Sequence, residues 1–452
     1  MTSFEGFHHA NKKSFVVVCV GDCVTDLLIK SRFFARDFLS LPCSVEHSSN
    51  FQGTTAIIDR IGRFEIDRQR TFVGNISSGG CEAIETYEGF LEIERIGLSL
   101  ANSRKEGEEE DEEDERDQNV RERFGGSAAN VARAIAKIRS NSNEFRNRVK
   151  IRFSGTIGND SIGERFVKNL VSEHEIECEE MVRVIVGERS ARCLSFVEES
   201  GQRTMRTYLG AAKSKPSIDC ILDAFRDDCE RTNDVVVGKM LHVEGYALYD
   251  SEFFLNMVEK VKEGNDRGER VVVSIDLASF EVVRKSREAL MRIFSDDRCK
   301  VDCVFCNEDE ALALVETLPE LFEDVGEYDV GEENRNKGAF EAFVCEAIAR
   351  KIKGICVVTR GKEGCVCCSY VEEEGSSCPT VFVPAPGIKA IDTTGAGDTF
   401  TAAFLFAKMS GRSLFQCCEF GCSCAARVCL VQGASLSDAE WKSVCTRAFE
   451  DH

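Results

Sequence analysis

From Val235 onward the chain alternates short, continuous apolar runs with segments in which apolar residues recur every three or four positions. The runs Met240 to Val243, Val271 to Asp276, Val301 to Cys306 and Ile355 to Thr359 have the length and composition of strands covered on both faces. Ser251 to Lys262, Phe280 to Phe294, Glu308 to Thr317, Thr399 to Met409 and Phe415 to Leu430 read as helices. Such alternation predicts an α/β fold, a mostly parallel sheet with helices on both faces. Phe15 to Val20 is another strand of this kind, and Ile151 to Phe153 with the helix Glu164 to Val171 adds a further unit.

The pattern is lost from Ser31 to Arg123, where serine- and glycine-containing stretches lead into Glu106 to Asp117, with ten acidic residues and one arginine. Low hydrophobicity and self-repulsion predict disorder for residues 106–117. Phe72 to Ile76 and Tyr87 to Ile96 are the candidate strands of this region. Ala191 to Val197 followed by Glu198 to Gln202 predicts a hairpin, and Gly326 to Gly338 a surface insertion.

Composition narrows the function classes. A chain of 452 residues, 43% hydrophobic, can bury a sizeable core. No apolar run approaches the roughly 18 to 20 residues that span a bilayer. The formal charge of -21 argues against a general nucleic-acid binder. The first fourteen residues lack the apolar core of a signal peptide, so the 23 cysteines are read as reduced thiols and the location as cytoplasmic. Cys303 and Cys306, and the group Cys417, Cys418, Cys422 and Cys424, fall where cysteine serves as a small apolar residue rather than a zinc ligand.

Candidate chemistry concentrates in Ile391 to Phe400, I-D-T-T-G-A-G-D-T-F, which reads as a strand end passing through two glycines into a helix. Gly395 and Gly397 can take backbone angles closed to other residues, so the N–H groups around Ala396 can converge on an anion beside the helix N-terminus. A carboxylate at Asp398 ought to repel that anion. It either caps the helix or accepts the proton of an alcohol attacking a phosphoryl group. Asp26 follows the first strand, where ligands gather in open α/β sheets, and is either a hydroxyl-binding group or a surface turn residue. Gly125 and Gly126 precede an alanine-rich helix and either admit a ligand or pack a tight turn. Asn307 and Glu310 share one face of a first helical turn, fit either for organising Mg²⁺ and its waters or for an N-cap. Gly158, Asp160 and Gly163 read as turn and cap residues. A phosphate loop of the G-x-x-x-x-G-K-[ST] type and an H-R-D catalytic loop are both absent from the sequence.

D-T-T-G-A-G-D-T-F resembles the carboxyl-terminal signature of the PfkB, or ribokinase-like, family of carbohydrate kinases, and F-G-G-S-A-A-N-V-A-R resembles its amino-terminal signature. G-D-C-V-T-D, N-E-D-E and T-R-G-K-E-G match further family motifs in family order. R-T-M-R-T-Y-L-G-A and D-L-A-S-F-E-V-V-R look like a plant and algal branch; that raises a plastid location, although the chain has no room for a transit peptide ahead of Phe15. The resemblance implies a three-layer α/β/α core with a small β lid, the core spanning 1–30 and 124–452 and the lid with its insertion spanning 31–123. It implies transfer of the ATP γ-phosphate to an alcohol of a sugar or nucleoside, with Mg²⁺ as cofactor. The rival readings are a nucleoside kinase and a catalytically retired scaffold. By the same resemblance Asp398 is the base and Gly395, Ala396 and Gly397 form the anion hole. Asp26, Gly125, Gly126 and Asn130 face the acceptor; Asn307, Thr359, Gly361, Gly364 and Gly433 face ATP; Glu310 with Asn307 organises Mg²⁺ through water. By the same resemblance Asp392 is expected to support a monovalent-cation site for K⁺, as in some relatives, and the lid is the expected contact of a homodimer.

Overall fold

The computed structural model describes residues 14–30, 81–102, 120–197, 203–231, 236–265, 270–323, 338–371, 378–431, 433 and 435–449. Its main sheet has nine strands in the order β14-β13-β12-β11-β10-β9-β1-β5-β6. These are Ser14–Val20 (β1), Val149–Gly158 (β5), Val182–Ile185 (β6), Val236–Glu244 (β9), Val271–Asp276 (β10), Cys303–Asn307 (β11), Ile355–Thr359 (β12), Cys365–Ser369 (β13) and Thr380–Val383 (β14). From β6 to β12 neighbouring strands are parallel, and β13 and β14 close one edge as antiparallel strands.

The continuous apolar runs are explained by two separate cores. Phe15, Val17 and Cys19 of β1 pack into one and Val16, Val18 and Val20 into the other, and β12 divides in the same way, Ile355 and Val357 against Cys356 and Val358. A strand buried on both faces has no polar side to show, so the alternation expected of a half-exposed strand is absent. Parallel pairing leaves the carboxyl ends of β1, β9, β10, β11 and β12 along one edge of the sheet, where Glu244, Asp276, Asn307 and Thr359 end their strands. That edge carries the candidate site.

A second sheet of five strands runs β3-β8-β7-β2-β4, from Val24–Lys30 (β2), Cys81–Ile84 (β3), Val120–Phe124 (β4), Ala191–Val197 (β7) and Arg203–Tyr208 (β8). β7 and β8 pair antiparallel, as the predicted hairpin requires. The expectation that lid strands come from 31–123 is too narrow, because β2, β7, β8 and part of β4 lie outside that range. Asp26 consequently sits within a lid strand rather than in a loop after β1.

Tyr87 to Ile96, expected as a strand, is part of the helix Tyr87–Asn102. The run F-L-E-I reads equally as strand alternation and as helical spacing, and tertiary packing selects the helix: Phe90 and Ile93 are buried while Leu91 is 42% exposed. The helix lies on the lid. Glu94 accepts two hydrogen bonds from Arg192, at 2.9 and 2.6 Å, and Tyr87 packs edge-on to Tyr208. Phe72 to Ile76 and the acidic tract 106–117 lie outside the described residues, as does most of Gly326 to Gly338. Phe280 to Phe294 is two helices, Phe280–Lys285 and Arg287–Ser295, interrupted at Ser286. Among the described residues no helix is long and apolar enough to cross a membrane.

Candidate active site

The helix Ala396–Met409 begins at Gly395, whose φ of 69° is left-handed and closed to most side chains. No strand leads into it, because β14 ends at Val383 and residues 384–393 form no regular element. Gly397 differs from expectation as well: it lies within the first helical turn and its φ is not positive. An added Cβ at Gly397 would meet nothing within 4 Å, so the helix opens onto free space there. Asp398, half-buried in the same turn, is held from another helix: Ser127 Oγ donates to Oδ1 at 2.7 Å and Asn130 Nδ2 to Oδ2 at 2.8 Å.

Ser127 and Asn130 share one face of the helix Ser127–Ser140, whose entry is the glycine pair. Gly126 has φ 84°, and a Cβ there would lie 2.3 Å from the Asp22 carbonyl oxygen. At Gly125 a Cβ would lie 2.0 Å from a carboxylate oxygen of Asp26. The glycines therefore bring Asp26 against the helix start, and Asp26, Gly125, Gly126, Asn130 and Asp398 converge although they come from distant parts of the chain.

On the other side, Asn307 and Thr359 end β11 and β12 as registered neighbours. Asn307 and Glu310 form a full capping box for the helix Glu308–Thr317, with Glu310 N donating to Asn307 Oδ1 and Asn307 N to Glu310 Oε2, both at 2.9 Å. Asn307 Nδ2 also donates to Glu310 Oε1 at 2.8 Å. The capping reading is thus realised, and it leaves each Glu310 oxygen one remaining acceptor position. Thr359 leads into a tight turn in which Arg360 N donates to the Gly364 carbonyl at 2.7 Å, with Gly361 exposed at its tip. Asp392 is buried: Oδ1 accepts from Thr394 N and Oγ1 at 2.9 and 2.5 Å, and Oδ2 from Gly433 N at 2.9 Å. It ties the approach to Gly395 onto the glycine turn at Gly433.

The pattern of the pfkB family carbohydrate kinase matches residues 93–442. The chain belongs to that family. Ketohexokinase of Mus musculus is 26% identical to this PfkB protein over 253 residues, covering 55% of this chain and 68% of that protein. The probable fructokinase-5 of Arabidopsis thaliana is 25% identical over 282 residues, covering 62% and 72%. Among solved structures, a probable sugar kinase from Rhizobium etli CFN 42 aligns with a TM-score of 0.63 at 21% identity, over 97% of this chain and 99% of that one. The adenosine kinase of Sinorhizobium meliloti aligns at 0.62 and 22%, over 97% and 100%. At such identities the structural likeness speaks for the three-layer ribokinase-like fold. With the family match, it makes the chain a PfkB-type kinase.

Electrostatics in this PfkB site follow from carboxylates gathered at the strand ends. Burial, and then the neighbouring Asp276 charge, raises Glu310 to about 8. Asp276 is raised to about 6 by lost hydration and then by Asp398, although it accepts from Ala278 N at 3.0 Å and Thr401 Oγ1 at 3.1 Å. Glu244, 1% exposed, is raised to about 8 by burial and then by Asp22, and it accepts from Asp22 N at 2.7 Å and Ala128 N at 2.9 Å. Ser127, Arg133, Glu244 and Asp276 are residues that sequence reasoning passed over. Two of them carry a signal in retrospect, since Glu244 and Asp276 are acids that end apolar strands, as Asp22 follows β1.

Among the described residues no group of three or more His, Cys, Asp or Glu side chains is arranged to hold a metal. Of the 20 cysteines whose side chains are described, all free, Cys220, Cys378 and Cys429 are half-exposed and the rest buried, as apolar packing requires.

Proposed function

We propose that this PfkB kinase transfers the γ-phosphate of ATP to an alcohol group of a sugar or sugar derivative, with Asp398 as general base. The observation that carries the reading is the Asp398 carboxylate, half-buried, oriented by Ser127 and Asn130, and set one helical position after Gly397 where the helix start is open. An acceptor hydroxyl between Asp398 and the phosphorus would give up its proton to the carboxylate as attack begins. The N–H groups of Ala396 and Gly397, in the first turn, would face the charge spread over the transferring group. Asp26, Gly125, Gly126 and Asn130 would hold the acceptor, and Thr359, Gly361, Gly364 and Gly433 would border ATP.

Mg²⁺ fits the donors present: Glu310 and Asp276 are hard oxygen ligands, both raised in pKa first by burial and then by a neighbouring carboxylate, and Asn307 stands beside Glu310. When bound with its waters, Mg²⁺ neutralises phosphate oxygens. Asp392 is the candidate for K⁺ dependence. Its hydrogen bonds to Thr394 and Gly433 suit it to holding the loop in either case.

A nucleoside acceptor is the second reading, given the adenosine kinase among the structural neighbours. The lid favours the sugar. Pairing places Asp26, Cys193 and Thr207 on one face, and Thr25, Arg192 and Tyr208 on the other. Tyr208 packs with Tyr87 and Phe90 on the face away from Asp26, so these aromatics are not offered to a base. A homodimer through the lid would use its edges or the Asp26 face, since the helix Tyr87–Asn102 covers the other. ATP consumption screened across pentoses, hexoses and nucleosides tests the reading. Turnover with nucleosides alone would overturn the sugar assignment.

A further inference from the structure

We propose that Arg133 is a positioning residue for phosphoryl transfer, locking the side-chain amide of Asn130 so that its NH₂ group faces Asp398. The inference rests on Asp398 being the base.

A primary amide has a donor and an acceptor end of nearly equal shape, and little but its surroundings decides which end faces a carboxylate. Here Asn130 Nδ2 donates to Asp398 Oδ2 at 2.8 Å, while Asn130 Oδ1 accepts from Arg133 Nη1 at 3.1 Å. With a cation on one side and an anion on the other, a single orientation satisfies both.

Arg133 lies one turn after Asn130 on the same helix and is itself fixed. Its Nε donates to Asn169 Oδ1 at 3.0 Å, and Nη1 also donates to the Phe124 and Gly125 carbonyls at 3.0 and 3.3 Å. The guanidinium stacks 5.2 Å from the Phe166 ring centroid. One rigid fork thus holds the lid strand end, the glycine pair and the asparagine that orients the base. Lysine, a point charge on a flexible stem, cannot meet these acceptors together.

The test uses Arg133→Met and Arg133→Lys in the full chain, alone and with Asn130→Ala. Each is assayed with ATP and with D-fructose or adenosine, whichever the wild-type enzyme phosphorylates, and each is checked by thermal melting. A shift of a reacting group by an ångström can cost up to about a hundredfold, so kcat should fall about tenfold or more in Arg133→Met, with KM for ATP within about twofold. In the Asn130→Ala background the same substitution should cost less than about threefold, because the residue it acts through is gone. An equal loss in both backgrounds, or unchanged kcat, overturns the inference. Arg133→Lys, which keeps the half-buried charge, decides the kinetics if Arg133→Met does not fold. A crystal structure of either variant is the arm that needs no acceptor: the Asn130 amide should move out of hydrogen-bonding distance of Asp398, and an amide left in place beside Asp398 overturns the inference. A wild-type enzyme inactive on both probes would count against the proposed acceptors while the crystallographic arm still decided on Arg133.

Discussion

Asn130 and Asp398, 268 positions apart, are joined by a 2.8 Å hydrogen bond between helices that begin at two glycines of positive φ, Gly126 and Gly395. The bond places the residue that resembles a sugar ligand against the residue that resembles a base. An acceptor hydroxyl lying near either is therefore near both. Replacing Asp398 by Asn removes the proton acceptor with little change in shape, and turnover should drop by roughly 10²-fold or more. A coupled ADP-release assay reads the effect, and an undiminished rate would remove Asp398 from the mechanism.

Gly126→Ala should cost both stability and activity. The φ of 84° is strained for alanine, and the new methyl would press on the Asp22 carbonyl at 2.3 Å. Backbone strain of this kind is worth roughly 1–3 kcal/mol, which denaturant unfolding resolves. A melting curve matching wild type would show that the turn relaxes freely.

Asp392→Ala removes the acceptor for Thr394 N, Thr394 Oγ1 and Gly433 N. Stranding the buried Gly433 N–H costs roughly 1–3 kcal/mol and the half-buried Thr394 donors less, so the variant should be markedly less stable. Titrating K⁺ against activity separates the two roles of this carboxylate. A purely structural Asp392 predicts a wild-type enzyme indifferent to K⁺.

Glu310→Gln keeps a capping-box partner for Asn307, since glutamine serves at that position too. Melting temperature should hardly change. If Glu310 organises Mg²⁺, the variant should need severalfold more Mg²⁺ for half-maximal rate, and an unaltered Mg²⁺ curve would argue for capping alone.

Stability without added ligand should fall as pH rises from about 5 to about 8. Glu244 and Glu310, each raised to about 8, and Asp276, raised to about 6, bind protons more tightly folded than unfolded. Their contribution is complete below the ordinary carboxylate range and is lost as pH climbs through the folded-state values. Glu244→Gln should flatten the slope measured by denaturant unfolding at several pH values, while losing one of the two N–H partners, Asp22 N or Ala128 N. A slope as steep as wild type would remove Glu244 from the account.

Some of the candidate site was open to reading along the chain. The Asn307–Glu310 box and the turn at Gly364 depend on residues a few positions apart, so spacing alone implies them. Arg133 gave no such sign: on a helix it looks like a solvated cation, and only the neighbouring Phe124, Gly125 and Asn169 make it a half-buried clamp. Gly397 was misread in its backbone: it lies in the helix with no positive φ, and open space stands where a side chain would be.

What the amino-acid order determined unaided was the succession of strands and helices from β9 to β12, because strands sealed on both faces must be apolar throughout and their helices must not. The tertiary structure alone decided that Tyr87–Asn102 is a helix folded over the lid and that Asp26, Asn130, Arg133 and Asp398 meet. Those outcomes depend on which strands lie side by side, a choice made by the summed burial of the whole sheet and invisible to any local window of residues.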